Sequence, residues 1–354
     1  MPIHYERQGD IAVITVDRPE VRNTVDVPTA RELAAAFRRF DSDDSAKVAV
    51  LTGAGGTFCA GADLKAVAGG ETRDFSPEAD GPMGPTRMQL DKPVIAAIEG
   101  HAVAGGLELA LWCDLRVVGE DAVLGVFCRR FGVPLIDLGT IRLPRLIGHS
   151  RAMDLILTGR SIDGRSARRF GVVDHVAPER HLRAAARRLV MDQPQPHRPG
   201  LVDRLSNAAL VRPLLGRVFR RQIGKRASKQ HYPAPYAMID IWQRHAGDPA
   251  RMLQAEAESL ARLITGVTAR NLIRVFFLME RLKSLGKDSS WRPAHVHVIG
   301  AGTMGGDIAS WCALRGFNVS LQDQAPERIA PAIARARTLF RRKLKQPRKV
   351  QAAM

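Results

Sequence analysis

The stretch HVHVIGAGTMGGDIASWCALRGFNVSLQDQ, residues 295–324, restricts the possible folds more than any other part of the chain. HVHVI alternates like a strand, the glycines form a turn, DIASWCALRG is spaced like a helix, and NVSLQD is a second strand ending on an acid. Gly300, Gly302 and Gly305 have the G-x-G-x-x-G spacing. Such a turn lets backbone amides and a helix N-terminus approach a pyrophosphate. Asp323 stands where an acid bonds the adenosine ribose hydroxyls and favours NAD over NADP. The glycines alone carry little information. The order strand, turn, helix, strand, acid marks residues 294–354 as the start of an NAD-binding Rossmann unit.

At 354 residues the chain is long enough for two or three units with a sizeable core. Its 53 Lys plus Arg against 36 Asp plus Glu give a formal charge of +17, which would suit a polyanion. The basic residues are scattered, however, and lack interleaved aromatics, so the expectation is an Arg-rich chain and no nucleic-acid partner. Cys59, Cys113, Cys128 and Cys312 show no paired metal spacing and no disulfide framework. The opening MPIHYERQGD is charged where a signal peptide would be apolar, and no run approaches a membrane span. A reduced, cytoplasmic location is expected.

IAVITV (11–16) and KVAVLTG (47–53) read as strands, separated by the helical pattern of TARELAAAFRRFDSD. PVIAAIEG and DLRVVGED repeat the strand signal on either side of AVAGGLELALWC. This alternation predicts an α/β domain over residues 1–190. MDQPQPHRPG (191–200) reads as a linker opening a helical segment over 191–290. In TARNLIRVFFLMERLKSLG (268–286), Leu272, Val275, Phe276 and Met279 share one face, read as packing, and Gly286 fits a C-cap.

Two Gly-rich turns, FCAGADLKAV (58–67) and HAVAGGLELA (101–110), can each present an unobstructed backbone N–H, the second at a helix start. Converging on one carbonyl oxygen, two such donors would stabilise a thioester enolate. Either turn alone is as readily explained by close packing. Glu108 follows Gly105 by one helical turn, within LELALW, an apolar setting where an idle charge is costly.

With DRPEVRNTVD (17–26), GAGGTFCAGADLKAV (53–67), KPVIAAIEGHAVAGGLELALWCDLRV (92–117) and RLPRLIGHSRAMDLILTGRSID (142–163), the sequence resembles the crotonase (enoyl-CoA hydratase/isomerase) superfamily over about half the chain. The resemblance implies a ββα-spiral α/β fold acting on acyl-CoA thioesters. It places the oxyanion-hole amides at Ala62 and Gly105. Ala62, Asp63, Leu64 and Lys65 would line the thioester and pantetheine, and Arg22 would meet the CoA nucleotide. Asp63 reads equally as a helix N-cap. Glu108 matches one of the two hydratase carboxylates, which orient water and exchange a proton with it.

The second hydratase carboxylate is expected twenty residues later, and that position holds Cys128. Arg129 and Arg130 follow it and would bring positive charge toward nearby acids and the CoA side. The next acid is Asp137, a base or nucleophile, or else a cap at Gly139–Thr140. Cys128 reads as a packed thiol in preference to a nucleophile, and His101 as structural.

Residues 231–287 resemble the connector of multifunctional fatty-acid oxidation α-subunits, in which a 3-hydroxyacyl-CoA dehydrogenase follows a hydratase. The implied protein is an enoyl-CoA hydratase of β-oxidation that needs no cofactor or metal for hydration. The alternatives are isomerase, hydrolase or decarboxylase chemistry, or non-catalytic acyl-CoA or NAD binding. The resemblance also implies either self-association as a trimer or a thiolase partner. The segment from 294 reads as a truncated dehydrogenase portion: after Gln324 come one basic helix and no histidine. No dehydrogenase activity and at best weak NAD binding are expected from it.

Overall fold

The β-branched runs become neighbouring strands in the computed structural model, which describes all residues except 136, 193–199, 201–204, 206, 287, 288, 292 and 345. The larger sheet runs β1 (Ile3–Gln8), β2 (Ile11–Val16), β3 (Val48–Gly53), β4 (Val94–Ile98), β6 (Leu115–Gly119) and β9 (His175–Ala177). β1 and β2 form an antiparallel hairpin, and the remaining pairs are parallel. Every residue of VIAAI in β4 is buried, as a central strand covered on both faces requires. A smaller sheet joins β5 (His101–Val103), β7 (Val123–Gly125) and β8 (Ser161–Asp163).

Helix α1 (Val27–Ser42) starts where the Asp26 carboxylate accepts from the Thr29 N–H at 2.9 Å, and it buries Leu33, Phe37 and Phe40 against the sheet. The other helices of this region are α2 (Leu64–Ala68), α3 (Gly105–Trp112), α4 (Gly139–Ile147), α5 (His149–Thr158), α6 (Gly164–Phe170) and α7 (Leu182–Asp192). The segment read as a linker lies mostly outside the described residues. Beyond it come α8 (Arg212–Gly224), α9 (Pro233–His245), α10 (Pro249–Ile264) and α11 (Val267–Ser284). Tyr236, Ile239, Trp242 and Met252 of α9 and α10 join the same apolar core as Leu33, Phe37 and Leu109. The four-residue apolar face expected on α11 is only partly used. Ala269 and Ile273 are its buried residues and Phe276 meets Phe131 edge-on, whereas Val275 and Met279 are half exposed.

The chain divides into two compact units, Met1–Leu278 and Met279–Met354. In the second, β10 (His295–Ile299) and β11 (Asn318–Gln322) pair in parallel, joined through α12 (Thr303–Leu314). Residues after Gln324 form two longer helices, α13 (Ile329–Leu344) and α14 (Pro347–Ala353), not the single one expected, because Pro347 opens a new helix. Gly300 has φ +100°, and a Cβ on Gly305 would lie 1.9 Å from the Gly300 carbonyl oxygen, so the strand–helix turn requires glycine at both. Asp323 accepts from the Ala325 N–H at 3.0 Å and the Ala301 N–H at 2.6 Å, and these amides hold its carboxyl below the usual range.

Candidate active site

Two parallel bridges fix the first Gly-rich turn, one to the loop before α1 and one to the second turn. Ala62 is bridged to Val25: the Val25 N–H donates to the Gly61 oxygen and the Asp63 N–H to the Val25 oxygen, each at 2.9 Å. In this pattern the flanking residues make the bonds, and the Ala62 N–H points away from the bridge. Cys59 is bridged to Ala102 at the start of the second turn. Close approach does the rest. A Cβ on Gly106 would lie 2.0 Å from the Cys59 oxygen, and one on Gly61 (φ +99°) would lie 3.0 Å from the Gly105 nitrogen.

Helix α3 begins after Ala104, a non-glycine residue at φ 52°, a conformation that costs on the order of 1–3 kcal/mol and clusters at functional sites. The Leu107 and Glu108 N–H groups both turn back to the Ala104 oxygen. Among the described residues no acceptor takes the N–H of Ala62 or Gly105. Two free amides, one at a helix N-terminus, suit an oxygen that gains negative charge.

The first loop frames this pair. Arg22 (φ 58°) has an exposed side chain, and its carbonyl accepts from the Ala60 N–H at 3.1 Å. Its neighbour Asn23 (φ 55°) is fully buried; it donates to the Ala54 and Thr57 oxygens at 2.8 and 2.5 Å and accepts from the Arg18 N–H at 2.8 Å. Asn23 therefore ties the loop to the segment leading into the first turn, a role the sequence reading missed. The left-handed tolerance of asparagine was its only signal. The Asp63 carboxylate caps α2, accepting from the Lys65 and Ala66 N–H groups at 2.9 and 3.4 Å, and pairs with Arg18 at 3.3 Å. Leu64 is half-buried and Lys65 exposed.

Glu108 is 1% exposed. Cys128 lies where a second carboxylate was expected, its thiol donating to Glu108 Oε1 at 3.7 Å. Burial pushes this thiol well above its usual pKa, and the Glu108 charge adds to the effect, so the group is a neutral donor and not a thiolate. On another side the N-terminus of α4 approaches: a Cβ on Gly139 would lie 3.2 Å from Glu108 Cδ and Oε2.

Asp137 is fully buried at φ 61°, followed by Leu138 at φ 64°. Its carboxylate lies 3.5 Å from Arg87 Nε. Burial raises its pKa against the pull of Arg87, Thr86, Arg142 and Arg73. It does not cap α4, whose N-cap position is Leu138 and carries no side-chain cap. That service comes from Glu256 of α10, a buried carboxylate the sequence reading did not single out. It accepts from the Leu138 N–H at 2.9 Å, the Thr140 N–H at 3.0 Å and the Thr140 hydroxyl. Burial pushes its pKa up to about 7 even though these donors pull it down.

The arginines after Cys128 do not turn toward these acids. Arg129 donates to the Thr158 oxygen, while Arg130 donates to the Gly159 oxygen and stacks on Phe127. The cations near Asp137 are instead Arg87, Arg142 and Arg73. His101 opens β5, its carbonyl accepting from the Cys59 N–H at 2.9 Å.

Residues 6–202 match the family model described as enoyl-CoA hydratase/isomerase. The chain belongs to that family. Residues 295–354 match the 3-hydroxyacyl-CoA dehydrogenase NAD binding domain. An enoyl-CoA hydratase from Mycobacterium tuberculosis is 39% identical over 181 residues, 49% of this chain and 67% of that protein. A fatty acid oxidation complex subunit alpha from Shewanella baltica is 30% identical over 98% of this chain, which spans 51% of that subunit. Among solved structures, a carnitinyl-CoA hydratase from Mycobacterium avium superposes with TM-score 0.59 at 28% identity, covering 78% of this chain and 96% of that one. Among the described residues of this family member, no helix is long and apolar enough to cross a membrane, and no group of three or more His, Cys, Asp or Glu could hold a metal.

Proposed function

We propose that the first unit is an enoyl-CoA hydratase of fatty-acid β-oxidation, working through a thioester enolate held by the Ala62 and Gly105 amides. The observation that supports this is the close approach of the two turns that bear those free N–H groups, Gly61 against the Gly105 nitrogen, with the buried Glu108 one helical turn beyond Gly105. As a 2-enoyl-CoA is hydrated, the water oxygen bonds to C3 and the π electrons move onto the thioester oxygen. Glu108 takes the water proton and then delivers it to C2, so one carboxylate balances the step. The amides bind the oxygen more strongly as charge develops on it, which lowers the barrier and not merely the KM. Arg22 reaches toward the CoA nucleotide, and the segment Ala62 to Lys65 borders the thioester. Asp137, held beside Arg87, assists Glu108 in this proposal.

Cys128 supports a second reading. With a neutral thiol beside Glu108, the same carboxylate could take a C2 proton from a 3-enoyl-CoA and return it at C4, an isomerisation that needs no second acid. Turnover of matched 2-enoyl- and 3-enoyl-CoA substrates separates the two. Hydration of the 2-enoyl thioester should dominate, and isomerisation without hydration would favour the second reading.

In the second unit, Gly300, Gly302 and Gly305 with Asp323 fit a dinucleotide, the open space around Gly300 and Gly302 leaving room for a pyrophosphate. NAD, when bound, accepts a hydride; our reading here is weak binding at most. A cytoplasmic setting, and either self-association or a thiolase partner, complete the proposal by analogy with the crotonases and the fused α-subunits.

A further inference from the structure

We infer that Glu256, on the helical segment outside the first β-rich portion, is a positioning residue for Glu108, acting through the N-terminus of α4. Its carboxylate grips both neighbours of Gly139: Oε2 accepts from the Leu138 N–H, and Oε1 accepts from the Thr140 N–H and hydroxyl. Gly139, between them, forms the wall against the Glu108 carboxylate, since even a methyl there would come within 3.2 Å of Cδ and Oε2. Two consecutive left-handed residues, Asp137 and Leu138, lead into this helix start. They would relax toward ordinary backbone if the amides beyond them lost their acceptor. Glu256 is completely buried, so no water substitutes easily for it. The Glu256 carboxylate, and not the helix as a whole, thus acts on the position of Glu108.

The inference rests on Glu108 as the proton carrier. Glu256→Ala should lower kcat on crotonyl-CoA by on the order of a hundredfold, the effect of misplacing a reacting group by about 1 Å, with KM within about twofold. Glu256→Gln should fall between Ala and wild type, because its oxygen can still serve the two Thr140 donors while its amide nitrogen faces Leu138. Leu260→Ala, another buried position on α10, controls for stability: it should lower the melting temperature and leave kcat near wild type. A wild-type kcat in Glu256→Gln, or equal kcat losses in Glu256→Ala and Leu260→Ala, would overturn the inference. Loss of the wild-type dependence on Glu108 would instead contradict the functional reading beneath it.

Discussion

Glu108→Gln lowers turnover of crotonyl-CoA by on the order of a hundredfold or more and leaves acyl-CoA affinity nearly unchanged. The amide has the size of the carboxylate, so the Gly139 wall still fits it, and its oxygen can still accept from the Cys128 thiol. What it cannot do is take a proton from water. Steady-state kinetics beside direct acyl-CoA binding separate the two effects, since a loss confined to kcat marks an interaction made in the transition state. A variant with the wild-type rate would remove Glu108 from the mechanism.

Gly106→Ala tests the other half of the site without touching a side chain that does chemistry. The added methyl would stand 2.0 Å from the Cys59 carbonyl oxygen and 2.7 Å from its carbon, both backbone atoms that cannot swing aside. The turn carrying Ala62 must then move away from the start of α3, and the two amides no longer meet on one oxygen. Loss of one such donor costs about 3–4 kcal/mol of transition-state stabilisation, or roughly 10²–10³ in kcat. The far-ultraviolet spectrum should stay near wild type, because the methyl sits at a single contact. Full activity in a folded Gly106→Ala protein would mean that the convergence of the turns is packing alone.

The parts of this molecule that sequence reveals are those with local causes. IAVITV, VAVLTG and VIAAI are strands because their apolar residues are contiguous or alternate, and the glycines at 61 and 106 stand where backbone meets backbone, while Gly105 leaves room for the Met83 side chain. Glu108 could be found by counting from Gly105. The strands β5, β7, β8 and β9 have three residues each, too few for a period to show. Asp63 was legible as a cap, and the structure gives its carboxylate that task. Glu256 was not legible, since its partners Leu138 and Thr140 lie 118 and 116 positions away. Nothing local in QAEAES distinguishes it from the exposed Glu258 on the same helix. Arg87 against Asp137 was hidden for the same reason, which is why Arg129 and Arg130, adjacent in sequence to Cys128, drew the charge argument to the wrong place.

The most direct test of the central claim is to incubate the 354-residue protein with crotonyl-CoA in water enriched in heavy oxygen and to identify the product by mass. Hydration at the Ala62, Gly105 and Glu108 site predicts 3-hydroxybutyryl-CoA with the label at C3, formed in proportion to enzyme and nearly absent with Glu108→Gln. Unlabelled crotonyl-CoA recovered intact from a protein that binds it would contradict the claim.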